Sequence, residues 1–237
     1  MSAVTIEFRN LTKSYGEKIA VAGLTAEIKS GRVTGFIGPN GAGKSTALRC
    51  LLDLVNPSSG IALIKGQNYR DLAEPTKTVG ALLDSRGFHP GLTANQNLTI
   101  MATAAGISTD RNPQLLDLVD LVEAQNKRTK GFSLGMKQRL SLAIALLGDP
   151  EILVLDEPAN GLDPQGIVWL RNLLKKLASE GRTVLVSSHQ LAEMEHTADD
   201  VLVINHGKLI ATGAIQEVCQ GRTLEEAFLD LTTKANS

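Results

Sequence analysis

Cysteine is nearly absent from this sequence. Cys50 and Cys219 are the only two, far apart and outside any CxxC spacing. That excludes a disulfide framework and fits a reduced cytosolic compartment. Also missing is any apolar run near the ~20 residues that span a bilayer, since the longest, such as residues 142–147, fall far short. Residues 1–10 alternate and carry Glu7 and Arg9, so they have neither the basic start nor the continuous apolar stretch of a secretory signal. The chain is therefore expected to be soluble and to reach a membrane only through a partner. Charge of one sign is lacking too: 24 Lys+Arg stand against 25 Asp+Glu, a formal net charge of −1. This balance offers no sequence-blind grip on a phosphate backbone and argues against nucleic acid as the partner. There is no low-complexity segment, long charge run or solenoid repeat.

What is present is an ordinary globular composition, 43% hydrophobic and 21% charged over 237 residues, enough to bury a substantial core. Residues 5–8 alternate, residues 20–28 are mostly β-compatible, and residues 33–37 form a short apolar run ending at glycine. Helical spacing is expected over 46–54, then a turn at Asn56-Pro57-Ser58-Ser59-Gly60 and a strand over 61–64. Residues 87–148 lack β-rich runs. Their apolar residues recur at helical spacing, as in Leu115, Leu118, Leu121 and Val122, or Leu140, Ile144 and Leu147. A helical insertion within an α/β domain is the simplest account. The apolar runs 152–155 and 184–186 follow, as expected of strands covered on both faces of a parallel sheet. Between them, Asp163 as cap and Pro164 at the first position start a helix that Gly181 closes. Residues 201–211 read as a late hairpin about Asn205-His206-Gly207-Lys208.

Gly38-Pro39-Asn40-Gly41-Ala42-Gly43-Lys44-Ser45, followed by Thr46, matches G-x-x-x-x-G-K-[ST] between an apolar strand and a helix. Glycines let backbone N–H groups curl around a β-phosphate where side chains would obstruct them. Lys44 is expected to serve the β- and γ-oxygens of ATP, and the Ser45 hydroxyl to ligate Mg²⁺, at the positive end of the following helix.

The run 152–155 delivers Asp156 and Glu157 to the end of a buried strand, where α/β sheets place ligands. Adjacent strand residues point to opposite sides, so the two carboxylates suggest two jobs. Asp156 is expected in the Mg²⁺ shell, and Glu157, just before Pro158, as the group that orients or deprotonates the attacking water. His189 ends the next apolar strand at the same expected sheet edge. His89, His196 and His206 have no such placement.

At this point the pattern resembles the ABC ATPase family over nearly the whole chain. The residues that carry the likeness are Phe132-Ser133-Leu134-Gly135-Met136-Lys137-Gln138-Arg139, which resemble the signature Leu-Ser-Gly-Gly-Gln. The resemblance implies a P-loop NTPase fold of class α/β with a mixed β core, an antiparallel N-terminal β subdomain and an inserted helical subdomain. The implied RecA-like core covers about residues 1–86 and 149–237, and the helical subdomain about 87–148. Ser133 and Gly135 open a helix whose N–H groups and dipole suit an anion. In the family that anion is the γ-phosphate of ATP bound to a second copy. Tyr15 resembles the aromatic that stacks on adenine, Asn160-Gly161-Leu162-Asp163 the loop that crosses to the partner, and His189 the histidine at the γ-phosphate. The tail 224–229 resembles the ends of many such domains.

Two departures stand out. Asp84 occupies the place of a glutamine near Mg²⁺ and the attacking water. When ionised it cannot donate, and it is one carbon shorter, so a water bridge to the metal is expected. Leu134 and Met136 replace a glycine and a glutamine of the signature. With an acidic residue at 84, Ser-Leu-Gly-Met-Lys-Gln-Arg looks like the branch that includes bacitracin- and lantibiotic-resistance ATPases and drug exporters. That branch implies an ATP-hydrolysing subunit, cytoplasmic and peripheral on the inner face of the membrane, docked on a separate permease that contacts the cargo. The alternative is a non-transport ABC ATPase acting on the ribosome or DNA. Such members generally carry two domains with a charged linker, or long coiled-coil insertions, and neither feature is seen here. A P-loop kinase leaves residues 133–139 and His189 unexplained.

Overall fold

The computed structural model describes residues 3–83 and 87–235. The chain forms two compact units, residues 1–73 with 171–237 and residues 74–170.

In the first unit, β1 (Val4–Tyr15), β2 (Lys18–Lys29) and β4 (Ser59–Ile64) form an antiparallel sheet in the order β2-β1-β4. The strand expected over a few residues is twelve long in β1, and its register with β2 shifts where Asn10 adopts φ 51°. A second sheet centres on β3 (Val33–Ile37), all of whose residues are buried. It pairs in parallel with β7 (Thr183–Ser188) and β8 (Asp200–Asn205), and β9 (Lys208–Ala214) closes antiparallel onto β8. β3 and β7 are buried along their whole lengths, Thr34, Thr183, Ser187 and Ser188 included, because a parallel strand is covered on both faces. Phe8 and Phe36, both fully buried, meet at 6.4 Å between ring centroids and join the two sheets. Helix α1 (Lys44–Leu51) starts two residues earlier than its apolar spacing suggests, because the left-handed Gly43 at φ 109° caps it.

The second unit holds α2 (Pro75–Thr78), β5 (Val79–Leu82), α3 (Ala94–Ala104), α4 (Asn112–Leu118), α5 (Leu134–Ala145) and β6 (Ile152–Asp156). Helix α3 opens on a capping box, with Gln96 N–H donating to the Thr93 hydroxyl and Thr93 N–H to the Gln96 side chain. Pro113 lies in the first turn of α4, where its missing N–H costs nothing. The three longer helices of this unit fall within the segment expected to be helical. β5 was not expected as a strand. It pairs in parallel with β6, Val79 opposite Ile152 and Leu82 opposite Leu155. Its Gly80 permits that placement, since a Cβ there would lie 2.0 Å from the Ala145 carbonyl at the end of α5.

Helix α6 (Pro164–Ser179) begins as its sequence requires: Gly166 N–H donates to Asp163 Oδ1 at 2.8 Å. Its apolar face, Leu170, Leu174 and Leu177, is buried. After β7 come α7 (Leu191–Thr197) and, beyond β9, α8 (Ile215–Cys219) and α9 (Leu224–Ala235). Among the described residues no helix is long and apolar enough to cross a membrane.

Candidate functional site

The nucleotide loop is built from the end of β3 outward. β3 stops at Ile37, and two carbonyl contacts then fix the path of the next six residues. A Cβ on Gly38 would lie 2.2 Å from the Ile204 carbonyl, and one on Gly43 would lie 2.3 Å from the Ala20 carbonyl. Both positions therefore exclude side chains, and Gly43 also has the left-handed φ that glycine alone adopts readily. Around Gly41, at φ 81°, a Cβ would meet nothing within 4 Å, so the crest of the loop is open. Ala42 N–H donates to the Pro39 carbonyl at 3.1 Å and closes the turn.

Lys44 is only 5% exposed, and its ammonium donates to the Gly38 carbonyl at 2.6 Å and to the Pro39 carbonyl at 3.3 Å. The side chain thus folds back across the head of the loop, bringing a buried cation to where the backbone turns inward. Ser45 and Thr46 sit half-buried in the first turn of α1. A fixed cation and a helix N-terminus at a glycine-shaped cradle suit a triphosphate. The Ser45 hydroxyl is a hard oxygen donor of the kind Mg²⁺ prefers.

The late hairpin contributes something its sequence did not reveal. His206 and Gly207, with φ of 47° and 79°, make the turn between β8 and β9. Gly207 N–H donates to the Ala42 carbonyl at 2.9 Å, and its own carbonyl accepts from Ala22 N–H at 2.8 Å. The turn therefore ties the loop to β2. The glycine in the dipeptide announced a turn; nothing in the sequence announced where the turn docks.

Strand register brings His189 to the same edge. Ile37 lies opposite Ser188 in the parallel pair of β3 and β7, so Gly38 and His189 both leave the sheet at its carboxyl end. His189 is exposed, and the Ser188 hydroxyl accepts from Gln190 N–H at 2.9 Å, fixing the bend just after it. Tyr15 ends β1 opposite Lys18, two residues before the Ala20 whose carbonyl abuts Gly43. The residue is 49% exposed, with the Lys13 ammonium 5.0 Å from the ring centroid.

The remaining site residues belong to the second unit. Asp156 is the last residue of β6, whose Ile152, Leu153, Val154 and Leu155 are fully buried, and Asp156 and Glu157 are half-buried at its carboxyl end. Glu157 has φ 50°, a left-handed conformation uncommon for a residue with a Cβ. Its carbonyl accepts from Asn160 N–H at 3.1 Å and from Gln138 Nε2 at 3.3 Å. Gln138 lies in the signature segment, but its service to Glu157 is visible only in the fold. Ser133 caps α5, its hydroxyl accepting from Met136 N–H at 3.2 Å, and Gly135 occupies the first turn. Leu134 is 54% exposed yet lies against Gly161. Asp84 lies outside the described residues.

A glycine-cradled lysine at the end of a parallel strand, with an acidic pair ending another, defines a P-loop NTPase of the α/β class. The family model described as ABC transporter matches residues 21–160, more than half of the chain. A second model, described as AAA domain, putative AbiEii toxin, Type IV TA system, matches residues 130–195. The lantibiotic transport ATP-binding protein SrtF of Streptococcus pyogenes is 40% identical over 225 residues, covering 94% of this chain and 95% of the relative. The bacitracin transport ATP-binding protein BcrA of Bacillus licheniformis is 44% identical over 208 residues, covering 86% of this chain and 68% of the relative. Among solved structures, the dimeric MJ0796, a bacterial ABC transporter cassette, superposes with TM-score 0.81 at 26% identity over 89% of this chain and 98% of that one. The chain belongs to the ABC transporter ATP-binding family and is an ATPase, the motor subunit of a transporter.

Proposed function

We propose that this chain powers an exporter by closing in pairs on two Mg·ATP while docked on a separate membrane permease, with a peptide antibiotic, drug or other amphiphile as cargo. The observation that carries the reading is the buried Lys44 ammonium held across the head of a loop whose glycines leave no room for side chains. The cargo class is supported by relatives named for lantibiotic and bacitracin transport. The formal charge of −1 gives no support to a nucleic-acid partner.

In this reading the backbone of residues 38–46 cradles the phosphates, Lys44 offsets charge on the β- and γ-oxygens, and Tyr15 stacks on adenine. Mg²⁺, when bound, neutralises the phosphate oxygens, and Ser45 and Asp156 supply hard oxygen ligands for it, with Asp84 acting through water. Glu157 takes the proton of the attacking water or orients it, and His189 donates to the γ-phosphate. Ser133 and Gly135 of a second copy offer N–H groups and the positive end of α5 to the same phosphate. We take residues 87–148 as the helical subdomain inserted in a core of about 1–86 and 149–237. The motor works on the cytoplasmic face of the membrane, held there by the permease. Purification of the tagged chain from its own membranes in mild detergent tests this. A polytopic permease in stoichiometric amount is expected, whereas recovery with ribosomes or DNA and no permease contradicts the reading.

A further inference from the structure

Three contacts place α5 alongside the segment that follows Asp156. Gln138, only 5% exposed, donates from Nε2 to the Glu157 carbonyl at 3.3 Å. One turn earlier, Leu134 fills the space above Gly161: a Cβ added there would lie 2.3 Å from both Cγ and Cδ2 of Leu134. Gly135 leans on the same residue, its own missing Cβ 3.0 Å from the Gly161 carbonyl. Residues 134 and 138 are four apart, so a single face of α5 makes both the first and second contacts.

The segment so covered has turn bonds of its own, Asn160 N–H donating to the Glu157 carbonyl and Leu162 N–H to the Ala159 carbonyl, both at 3.1 Å. Glu157 is left-handed at φ 50°, and Gly161 is left-handed at φ 79°. The strain is at Glu157, since glycine takes a left-handed φ freely, and strain of that kind persists where neighbours over-determine it. The ends are already fixed, by β6 before and by the Asp163 cap of α6 after. Between them, α5 touches the turn through Gln138, Leu134 and Gly135. The helix is itself anchored on another side: Arg139 donates to the Val119 carbonyl at 3.1 Å and stacks its guanidinium 4.2 Å from the centre of the Trp169 ring.

We infer that Gln138 is a positioning residue for Glu157, and that Leu134 and Gly161 form a size-matched pair that seats the same turn. The inference rests on the reading of Glu157 as the group that activates water. Gln138 touches no reacting atom. It holds the main chain from which the Glu157 carboxylate projects, so that the carboxylate meets the water at a fixed place. A displacement of about 1 Å in such a group costs turnover far more than it costs substrate binding. Leu134, where the family signature has glycine, is then no defect, because the bulk added at 134 fits the bulk absent at 161.

The test is a mutant cycle on the full chain, read as kcat and KM for Mg·ATP alongside the melting temperature. Gln138→Leu keeps the volume and removes the donor, and it is expected to lower kcat roughly 10- to 100-fold with KM within about twofold. In a Glu157→Gln background the same change is expected to cost nothing further, because a residue acting through Glu157 has no other route. Gly161→Ala is expected to lower kcat, and Leu134→Gly in the same chain to restore the part of the loss that comes from the clash at 134, the left-handed φ of 79° at residue 161 remaining, a partial rescue that general destabilisation does not give. Wild-type kcat for Gln138→Leu, an equal loss in the Glu157→Gln background, or no rescue by Leu134→Gly overturns the inference. If Glu157→Gln itself turns over at the wild-type rate, the base assignment falls and the positioning role with it. A dead Glu157→Gln beside a fully active Gln138→Leu removes the positioning role alone.

Discussion

Lys44 shows how much one side chain is asked to do. Its ammonium is buried against the Gly38 and Pro39 carbonyls, so the charge waits where the phosphates are to sit, and no large rearrangement is needed to meet them. Lys44→Ala removes both the charge and the strut across the loop. It is expected to reduce nucleotide affinity by at least 10-fold and abolish turnover, since charge-assisted contacts to phosphate are each worth about 1.5–3 kcal/mol. Equilibrium binding of a fluorescent ATP analogue measures the first and phosphate release the second. Asp84 makes the opposite case, a residue assigned by its place in the family resemblance. A carboxylate that cannot donate suits a water-bridged role in communication better than direct contact with the attacking water. Asp84→Gln is accordingly expected to change permease-stimulated turnover more than basal turnover, measured with and without the reconstituted permease. Equal changes in both would argue against a coupling role.

Much of this chemistry was legible residue by residue, because glycine, lysine, serine and acidic residues at fixed spacing have few other uses. The left-handed Glu157 was not legible. Backbone strain leaves no mark on residue type when the position is filled for another reason, here the carboxylate proposed to meet the attacking water. The grip of Gln138 on that residue was hidden for a related reason: the acceptor is a carbonyl, and every residue has one.

At the scale of elements, continuous apolar runs gave away β3, β6 and β7, and the Asp163–Pro164 start gave away α6, because burial on both faces and helix capping each demand particular residues. β5 escaped notice. It is four residues long and contains Gly80, a weak strand former placed there by the close approach of Ala145. Nor could the late hairpin's role be read from its sequence, since Gly207 acts through its own N–H and carbonyl on residues distant along the chain. That role is testable. Gly207→Val forces a β-branched residue to φ 79°, with the Ala20 carbonyl 3.0 Å from its Cβ. The strain is expected to cost on the order of 1–3 kcal/mol in unfolding free energy. Because the turn holds Ala42, ATP affinity is expected to fall as well. Calorimetry and nucleotide titration on one preparation separate the two. Lost stability with wild-type affinity would show that the hairpin does not hold the loop.

At the scale of the whole molecule, the proposed work is done by two copies. One chain supplies the cradle of residues 38–46, and α5 of another supplies Ser133 and Gly135 at a capped, positively polarised helix end. A triphosphate joined to both would hold the copies together until hydrolysis removes the γ-phosphate. Blocking proton transfer should therefore preserve the assembly. The most direct measurement is the mass of Glu157→Gln in solution with Mg·ATP, by light scattering or sedimentation, compared with the same protein in ADP. The account predicts a stable dimer with ATP and a monomer with ADP. A strictly monomeric Glu157→Gln at saturating Mg·ATP would contradict it.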